Sequence, residues 1–248
     1  MKHLILNMAI LLITACSLYS QKNLMNAERF ELFGRELAKH QHSRGSSNIY
    51  KLNEQGEYVI NFDIIKGSPY ENNNFLMGLL VDEVGHKNVN IYLRYNIYND
   101  VIEFKEELYS PNTLALLKQK DISCVINGMA YKYLTFTNES NTELDGYLKV
   151  LYAGKNYSAY EHLSSHYTPK QAAENSFIPG VAPTFDTKSQ YFIQQGDSIS
   201  PLPYKRKEIY KKFPDQADAL KPFFSKNKKN LRSAEGAKAL TQFLDSKS

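Results

Sequence analysis

The chain has 248 residues, of which 42% are hydrophobic and 23% charged, with 12 Gly, 9 Pro and 2 Cys. That length can bury one large core or two small ones, and the ordinary apolar content excludes a disordered chain. A net charge of +4 is too mild to indicate a nucleic-acid binder, and two cysteines exclude a disulfide scaffold.

Residues 1–20 read as an export signal. Lys2 supplies a positive start, Leu4 to Ile13 form an apolar run broken by Asn7, and small and polar residues follow to Gln21. A bilayer span needs about 20 apolar residues, so this segment is expected to be removed and the protein to be periplasmic or secreted. Two cuts compete. Cleavage after Ser20 discards Cys16, whereas Ile13-Thr14-Ala15-Cys16 resembles a lipobox in which an acylated Cys16 anchors the chain at a membrane surface. Membrane contact is expected only in that second case. Cys124 is the sole cysteine after Gln21, in an alternating strand-like stretch over 122–126, and reads as a buried, inert thiol.

Residues 21–56 read as an N-terminal helix and a polar linker. Phe30, Leu32, Phe33, Leu37 and Ala38 recur at helical spacing over 26–42, with Asn26 as the cap and Gly34 as a weak point. The stretch 40–48 is polar.

From 57 to 203 the period switches to two. Strands are expected at 57–65, 89–97 and 101–105, the last two joined by a turn at Asn99-Asp100. A turn or short helix is expected at 111–117, then strands at 131–137, 147–152 and 156–163, with Ala153-Gly154-Lys155 as a hairpin turn. A last strand is expected at 191–195, before Gly196-Asp197, and 169–183 with its three prolines reads as a loop. The 18 Tyr and 13 Phe suit strands, where a ring packs and a phenol hydroxyl stays wet. Short turns between successive strands argue for an antiparallel arrangement rather than a βαβ order.

Residues 204–248 return to a helical pattern. Ile209 and Phe213, Leu220 with Phe223 and Phe224, and Leu240 with Phe243 and Leu244 mark three helices, with Asp215 and Ser233 as caps. This segment holds 12 Lys+Arg against 5 Asp+Glu, so it carries +7 and the rest of the chain −3. Lys205, Arg206, Lys207, Lys211 and Lys212 are therefore a candidate basic contact face; the competing reading is the solvated outer side of helices that pack inward. The expected fold is a single α+β domain: a Tyr-rich antiparallel sheet, meander or sandwich-like, with an N-terminal helix and a C-terminal group of basic helices.

The chain carries no strong chemical motif. His162 and His166 have a metal-ligand spacing, but no Glu follows the first His, and in a strand residues four apart lie ~13 Å from each other. His40 and His42 fall in the linker, and adjacent Asp82 and Glu83 point to opposite faces of a strand. No GxSxG, phosphate-cradling loop or EF-hand loop is present. No metal, cofactor or catalytic residue is assigned. Asp197-Ser198-Ile199 resembles the sequon at which Bacteroidota glycosylate Ser in exported proteins.

The signal segment ahead of Gln21, Arg94-Tyr-Asn-Ile-Tyr-Asn-Asp100, Gly146-Tyr-Leu148 through Gly154-Lys155, and Tyr204-Lys-Arg-Lys-Glu-Ile209 with the lysine-rich helices occur in an order that resembles a family of exported proteins of Flavobacteria and related Bacteroidota. The resemblance covers about residues 57–248; the helix at 26–42 is additional to it. The family has no assigned activity, so the resemblance implies a compartment and no catalytic residues.

Together these readings lead to an expected non-enzymatic interaction or scaffold protein of the cell envelope, whose partner is an envelope protein or glycan. Nucleic acid is not expected. A hydrolase of glycan or peptide stays open, using carboxylates from distant strands or an Asp beside His86 or His162. So does a carrier of a small apolar ligand inside a curled sheet.

Overall fold

The structure, a computed structural model, describes residues 34–36, 50–52, 58–110, 112–171, 180–226 and 230–247. The expected signal peptide, Cys16, the histidines of the linker and most of the expected N-terminal helix lie outside the described residues.

Apolar residues alternating with polar ones from Leu76 onward build ten strands of one open antiparallel sheet. They are β4 (Leu76–Asp82), β5 (Lys87–Asn96), β6 (Val101–Lys105), β7 (Leu114–Leu116), β8 (Ile122–Ile126), β9 (Met129–Thr137), β10 (Glu143–Ala153), β11 (Tyr157–Thr168), β12 (Thr184–Gln195) and β13 (Ser198–Pro201). Three residues, Gly34–Glu36 (β1), pair with β7 and make an eleventh strand at that edge. A separate pair is formed by β2 (Tyr50–Leu52) and β3 (Tyr58–Ile60). The order β1-β7-β6-β5-β4-β8-β9-β10-β11-β12-β13 is two meanders running in opposite directions from β4 and β8. Helices α1 (Arg206–Lys212), α2 (Ala217–Lys226) and α3 (Ala234–Asp245) follow, making the fold α+β.

The sheet curls twice, in opposite senses. On one face Tyr95 of β5 meets Tyr131 of β9 at 5.6 Å and Tyr147 of β10 at 6.1 Å between ring centroids, although β4 and β8 lie between them in the sheet. The enclosed space is filled by Leu80, Ile91, Leu93, Ile102, Phe104 and Cys124. On the other face Phe136, Leu148, Tyr160 and Phe192 form a second core, closed where Thr137 Oγ1 of β9 donates to the Ile199 carbonyl of β13 at 3.3 Å. Right-handed twist accumulating over many strands requires such curling, and two cores satisfy the alternating side chains of β9 to β11.

The helices cover the first face near its β10–β12 end. Ile209, Phe213, Leu220, Phe224, Leu240 and Leu244 pack there against Tyr157 and Ile193, and Ser233 caps α3 by accepting the Gly236 N–H at 3.2 Å. At the other end of α3, Asp245 accepts the N–H groups of Asn156 and Tyr157 and the Tyr152 hydroxyl, which fastens the helix to the β10–β11 hairpin. Gly154 allows this approach: a Cβ there would lie 2.4 Å from Asp245 Oδ2 and 2.5 Å from the Tyr157 carbonyl oxygen.

Several expectations are corrected. Gly34–Glu36 is extended rather than helical, at the position where glycine weakens a helix most. The strand expected over 57–65 ends at Ile60, because Asn61 Oδ1 captures the Asp63 N–H and turns the chain. Residues 114–116 form strand β7 rather than a turn or helix. Asp215 sits inside a 3-10 turn, Pro214–Gln216, and does not cap a helix with its side chain. β4 is not among the expected strands; its run from Leu76 to Val81 lacks polar alternation although Leu80 alone is buried and Met77 is 56% exposed.

Candidate functional site

Before Leu76 the chain leaves the β4 line and rejoins β5 only at the Tyr70–Asn96 bridge, so residues 71–75 bulge outward. The bulge is wound around Arg94. The guanidinium lies 3.7 Å from the Tyr70 ring centroid and 4.2 Å from that of Phe75, and its Nη1 donates to the Asn73 carbonyl at 3.0 Å. Beneath it Glu103, only 4% exposed, accepts from Arg94 Nε at 3.0 Å and from Asn96 Nδ2 at 2.8 Å, so the buried carboxylate is fully paired.

Between this bulge and the β8–β9 turn lies a cleft of about 140 Å³. Its lining combines Leu76 and Met129, with the buried Leu93 and Ile126 behind them, and the polar Glu71, Asn72, Asn74, Asn127, Tyr131 and Lys149. Glu71 accepts from the Tyr131 hydroxyl and from Lys149, and Lys149 also faces Glu161 at 3.7 Å. Burial, reinforced by Glu71, pushes the Tyr131 phenol far up, so it stays a proton donor. The asparagines are less committed. Asn72 Oδ1 accepts the Asn74 N–H at 2.9 Å, and among the described residues the side-chain amides of Asn74 and Asn127 have no partner. Asn127 takes the left-handed backbone conformation (φ 50°) of a tight hairpin turn, and its exposed residue lines the cleft.

A second cluster sits where β10 and β11 part beyond the Lys149–Glu161 pair. The β5–β6 turn wedges into the split. Asp100 there accepts the Tyr147 N–H at 3.2 Å and the Tyr95 hydroxyl at 2.8 Å, and Lys118 approaches its other oxygen at 3.5 Å. A Cβ on Gly146 would lie 3.3 Å from Asp100 Oδ2 and 3.5 Å from His162 Nε2, so these two groups face each other across the glycine. Burial between Phe136 and Phe192 lowers the pKa of His162, and Asp100 opposes the shift.

The residues singled out in the sequence are spread over the molecule. Cys124 lies on β8, fully buried, and burial raises its thiol pKa steeply. His162 and His166 both lie on β11, and His86 is in the β4–β5 turn. Among the described residues no three His, Cys, Asp or Glu side chains converge as a metal-ligand set. Of the basic face, Lys205, Arg206, Lys207 and Lys211 are exposed. Arg206 also donates to the Phe224 carbonyl at 3.3 Å, and half-buried Lys212 donates to Ser200 Oγ at 2.7 Å. The cleft residues were not singled out in the sequence. The one visible signal was the Asn72-Asn73-Asn74 run, which reads as a polar loop until the fold puts Asn127 opposite it.

No family model, no curated protein and no solved structure matches the chain.

Proposed function

We propose that the chain is an exported, non-catalytic recognition protein of the cell envelope, and that the cleft between the 71–75 bulge and the β8–β9 turn is its contact site. The single observation that carries this reading is the state of the cleft's polar groups. Its ammonium, Lys149, is already paired with Glu71 and Glu161, whereas the exposed amides of Asn74 and Asn127 line the cleft with hydrogen-bonding capacity to spare. Committed ion pairs with free amides beside them favour a binding surface over an acid–base pair. The export part of the reading rests on residues 1–20 and on the resemblance to exported Bacteroidota proteins. No helix among the described residues is long and apolar enough to cross a membrane.

The hydrolase reading has one observation in its favour, the approach of His162 and Asp100 across Gly146. Against it, both Asp100 oxygens are engaged by Tyr147, Tyr95 and Lys118, which makes the carboxylate a structural acceptor. The apolar-carrier reading needs an interior volume, and the curled sheet's interior is filled by its own leucines, isoleucines and aromatic rings.

The test is retention of the full chain on washed envelopes. The wild type is expected to sediment with them, and the Asn72→Ala/Asn74→Ala/Asn127→Ala variant, exported and folded alike, to stay in the soluble fraction. Equal retention of the two removes the cleft as the contact site.

A further inference from the structure

We infer that the outer edge of β12 over Asp186–Gln190 is a strand-pairing site for an extended peptide with an acidic residue at its centre, and that Lys188 bars a second copy of this chain from it. The site is separate from the cleft and goes beyond the recognition role proposed above.

Main-chain hydrogen bonds locate it. β12 pairs with β11 in unbroken register from Thr184 to Gln195, and its odd-numbered residues turn their N–H and C=O groups to the other side. The bonds at both ends show this. At one end the Phe185 N–H donates to the Lys66 carbonyl at 2.8 Å, and the Pro183 carbonyl accepts the Lys66 N–H at 2.9 Å. At the other the Tyr191 carbonyl accepts the Leu202 N–H at 2.9 Å, and β13 pairs from Phe192 onward. Thr187 and Ser189 lie between and point the same way, and among the described residues no strand runs beside them. Their N–H and C=O groups face outward from a stretch that is exposed from Asp186 to Ser189.

The gap has fixed ends. Lys66 and Leu202 hold β12 on either side of it, and β11 keeps it extended, so little ordering is left for the moment of pairing. The split between β10 and β11 is different, because there Asp100 already accepts the Tyr147 N–H.

Charge decides which strand fits. In an antiparallel pairing that uses both Thr187 and Ser189, Lys188 stands opposite the central residue of the incoming strand, at a position where side chains come closest. Its own neighbour across the ladder to β11 is Ser164, so no acid of the sheet faces it there. A second copy pairing in this register would set Lys188 against Lys188, a repulsive contact of the kind that keeps sheet edges apart. Sliding the copy by one pair in either direction would call on Phe185 or Tyr191, whose groups Lys66 and Leu202 already engage. An acid at the centre of the incoming strand turns the same contact into an ion pair.

The experiment is a titration of the full chain, isotopically labelled at nitrogen, with two short blocked peptides of alternating threonine and valine. One carries glutamate at its centre and the other lysine. The glutamate peptide is expected to move the Thr187 and Ser189 main-chain amides saturably, with a Kd of about 1 mM. The lysine peptide should bind more weakly by on the order of tenfold. Thr187→Pro and Ser189→Pro each remove one outward N–H at an edge position that tolerates proline, and each should abolish movement of the remaining amide while the rest of the spectrum is kept. Unmoved amides, an equal response to the two peptides, or movement that survives in whichever proline variant folds overturns the inference. Concentration-dependent dimerisation of the wild type through the same amides overturns it in favour of a second copy. Envelope retention through Asn72, Asn74 and Asn127 is read separately, so failure of either result leaves the other standing.

Discussion

The Asp100 carboxylate accepts the Tyr147 N–H at 3.2 Å at the point where β10 and β11 separate, so a side chain takes the place of the missing strand partner. Asp100 is able to do this because it occupies the left-handed backbone region (φ 49°) at the tip of the β5–β6 hairpin, a conformation that Asp tolerates. The same carboxylate accepts the Tyr95 hydroxyl, so one residue closes the seam between the two curled halves of the sheet.

Replacing Asp100 by Ala leaves two part-buried donors without an acceptor, and the expected loss is about 3 kcal/mol of unfolding free energy. Asp100→Asn keeps the backbone preference and one acceptor and should lose less than half as much. Urea unfolding of the two variants measures this; equal losses would show that the seam depends on the charge rather than on the acceptor geometry.

Tyr147 supplies the opposite case. It is 1% exposed, its ring packs against Tyr95 and Tyr133, and among the described residues its hydroxyl has no hydrogen-bond partner. Tyr147→Phe removes that buried oxygen and keeps the ring, and is expected to raise stability by about 1 kcal/mol. Calorimetry of the variant decides it, and a clear loss of stability would mean that the hydroxyl has an ordered partner.

His162 gives the fold a pH dependence of known sign. Burial lowers its pKa in the folded state below the ordinary 6.5, so the neutral ring is the folded form. Above about pH 6.5 the group is neutral folded and unfolded alike, and its contribution is fully present. As pH falls below that value the unfolded chain takes up the proton first, and stability is lost until the folded pKa is passed. The urea midpoint should therefore fall more steeply between pH 7 and 5 in the wild type than in His162→Gln, and parallel curves would count against the assignment.

The C-terminal helix depends on Asp245. Its carboxylate accepts Asn156 N–H at 2.7 Å, Tyr157 N–H at 3.0 Å and the Tyr152 hydroxyl at 2.8 Å, and these bonds hold its pKa below the usual carboxylate value. Asp245→Ala should lower Tm by on the order of 5 °C and open the β10–β11 turn to amide exchange before the rest of the sheet. Because the pKa is depressed, the latch is at full strength above about pH 4 and weakens as pH falls below it. A turn that stays protected in the variant would place the anchoring elsewhere on α3.

The basic helix divides into two kinds of residue. Lys205→Gln, Lys207→Gln and Lys211→Gln together should leave the unfolding midpoint nearly unchanged, since exposed charges contribute ~0–1 kcal/mol each. Adding Arg206→Gln and Lys212→Gln should lower it, because Arg206 caps the Phe224 carbonyl and Lys212 reaches Ser200. Envelope retention of the triple variant then reads the contact role of the charges free of any folding defect.

Much of the architecture was legible in the residues alone. Strict alternation over 89–97 placed β5, the Asn99-Asp100 turn placed the hairpin to β6, and Gly154 placed the turn between β10 and β11. Lysines threaded with Ile, Leu and Phe at helical spacing placed the three helices. Each of these signals is local: period, turn chemistry and capping act within about ten residues. Strands β4 and β7 escaped because pairing in the middle or near the edge of a sheet is decided by partners far along the chain, not by the segment's own pattern.

The candidate site was hidden for the same reason, more completely. Asn72, Asn74, Asn127, Tyr131 and Lys149 come from a bulge, a hairpin turn and two strands, and nothing in their spacing announces that they meet. Sequence by itself determined that this chain would make a tyrosine-rich antiparallel sheet capped by basic helices. The tertiary structure alone decided that the sheet would curl in two senses, that Asp100 would fill the split between β10 and β11, and that Lys149 would meet Glu71 across 78 residues of chain. Side-chain period records which face of an element is buried; it carries no information about which distant element will bury it.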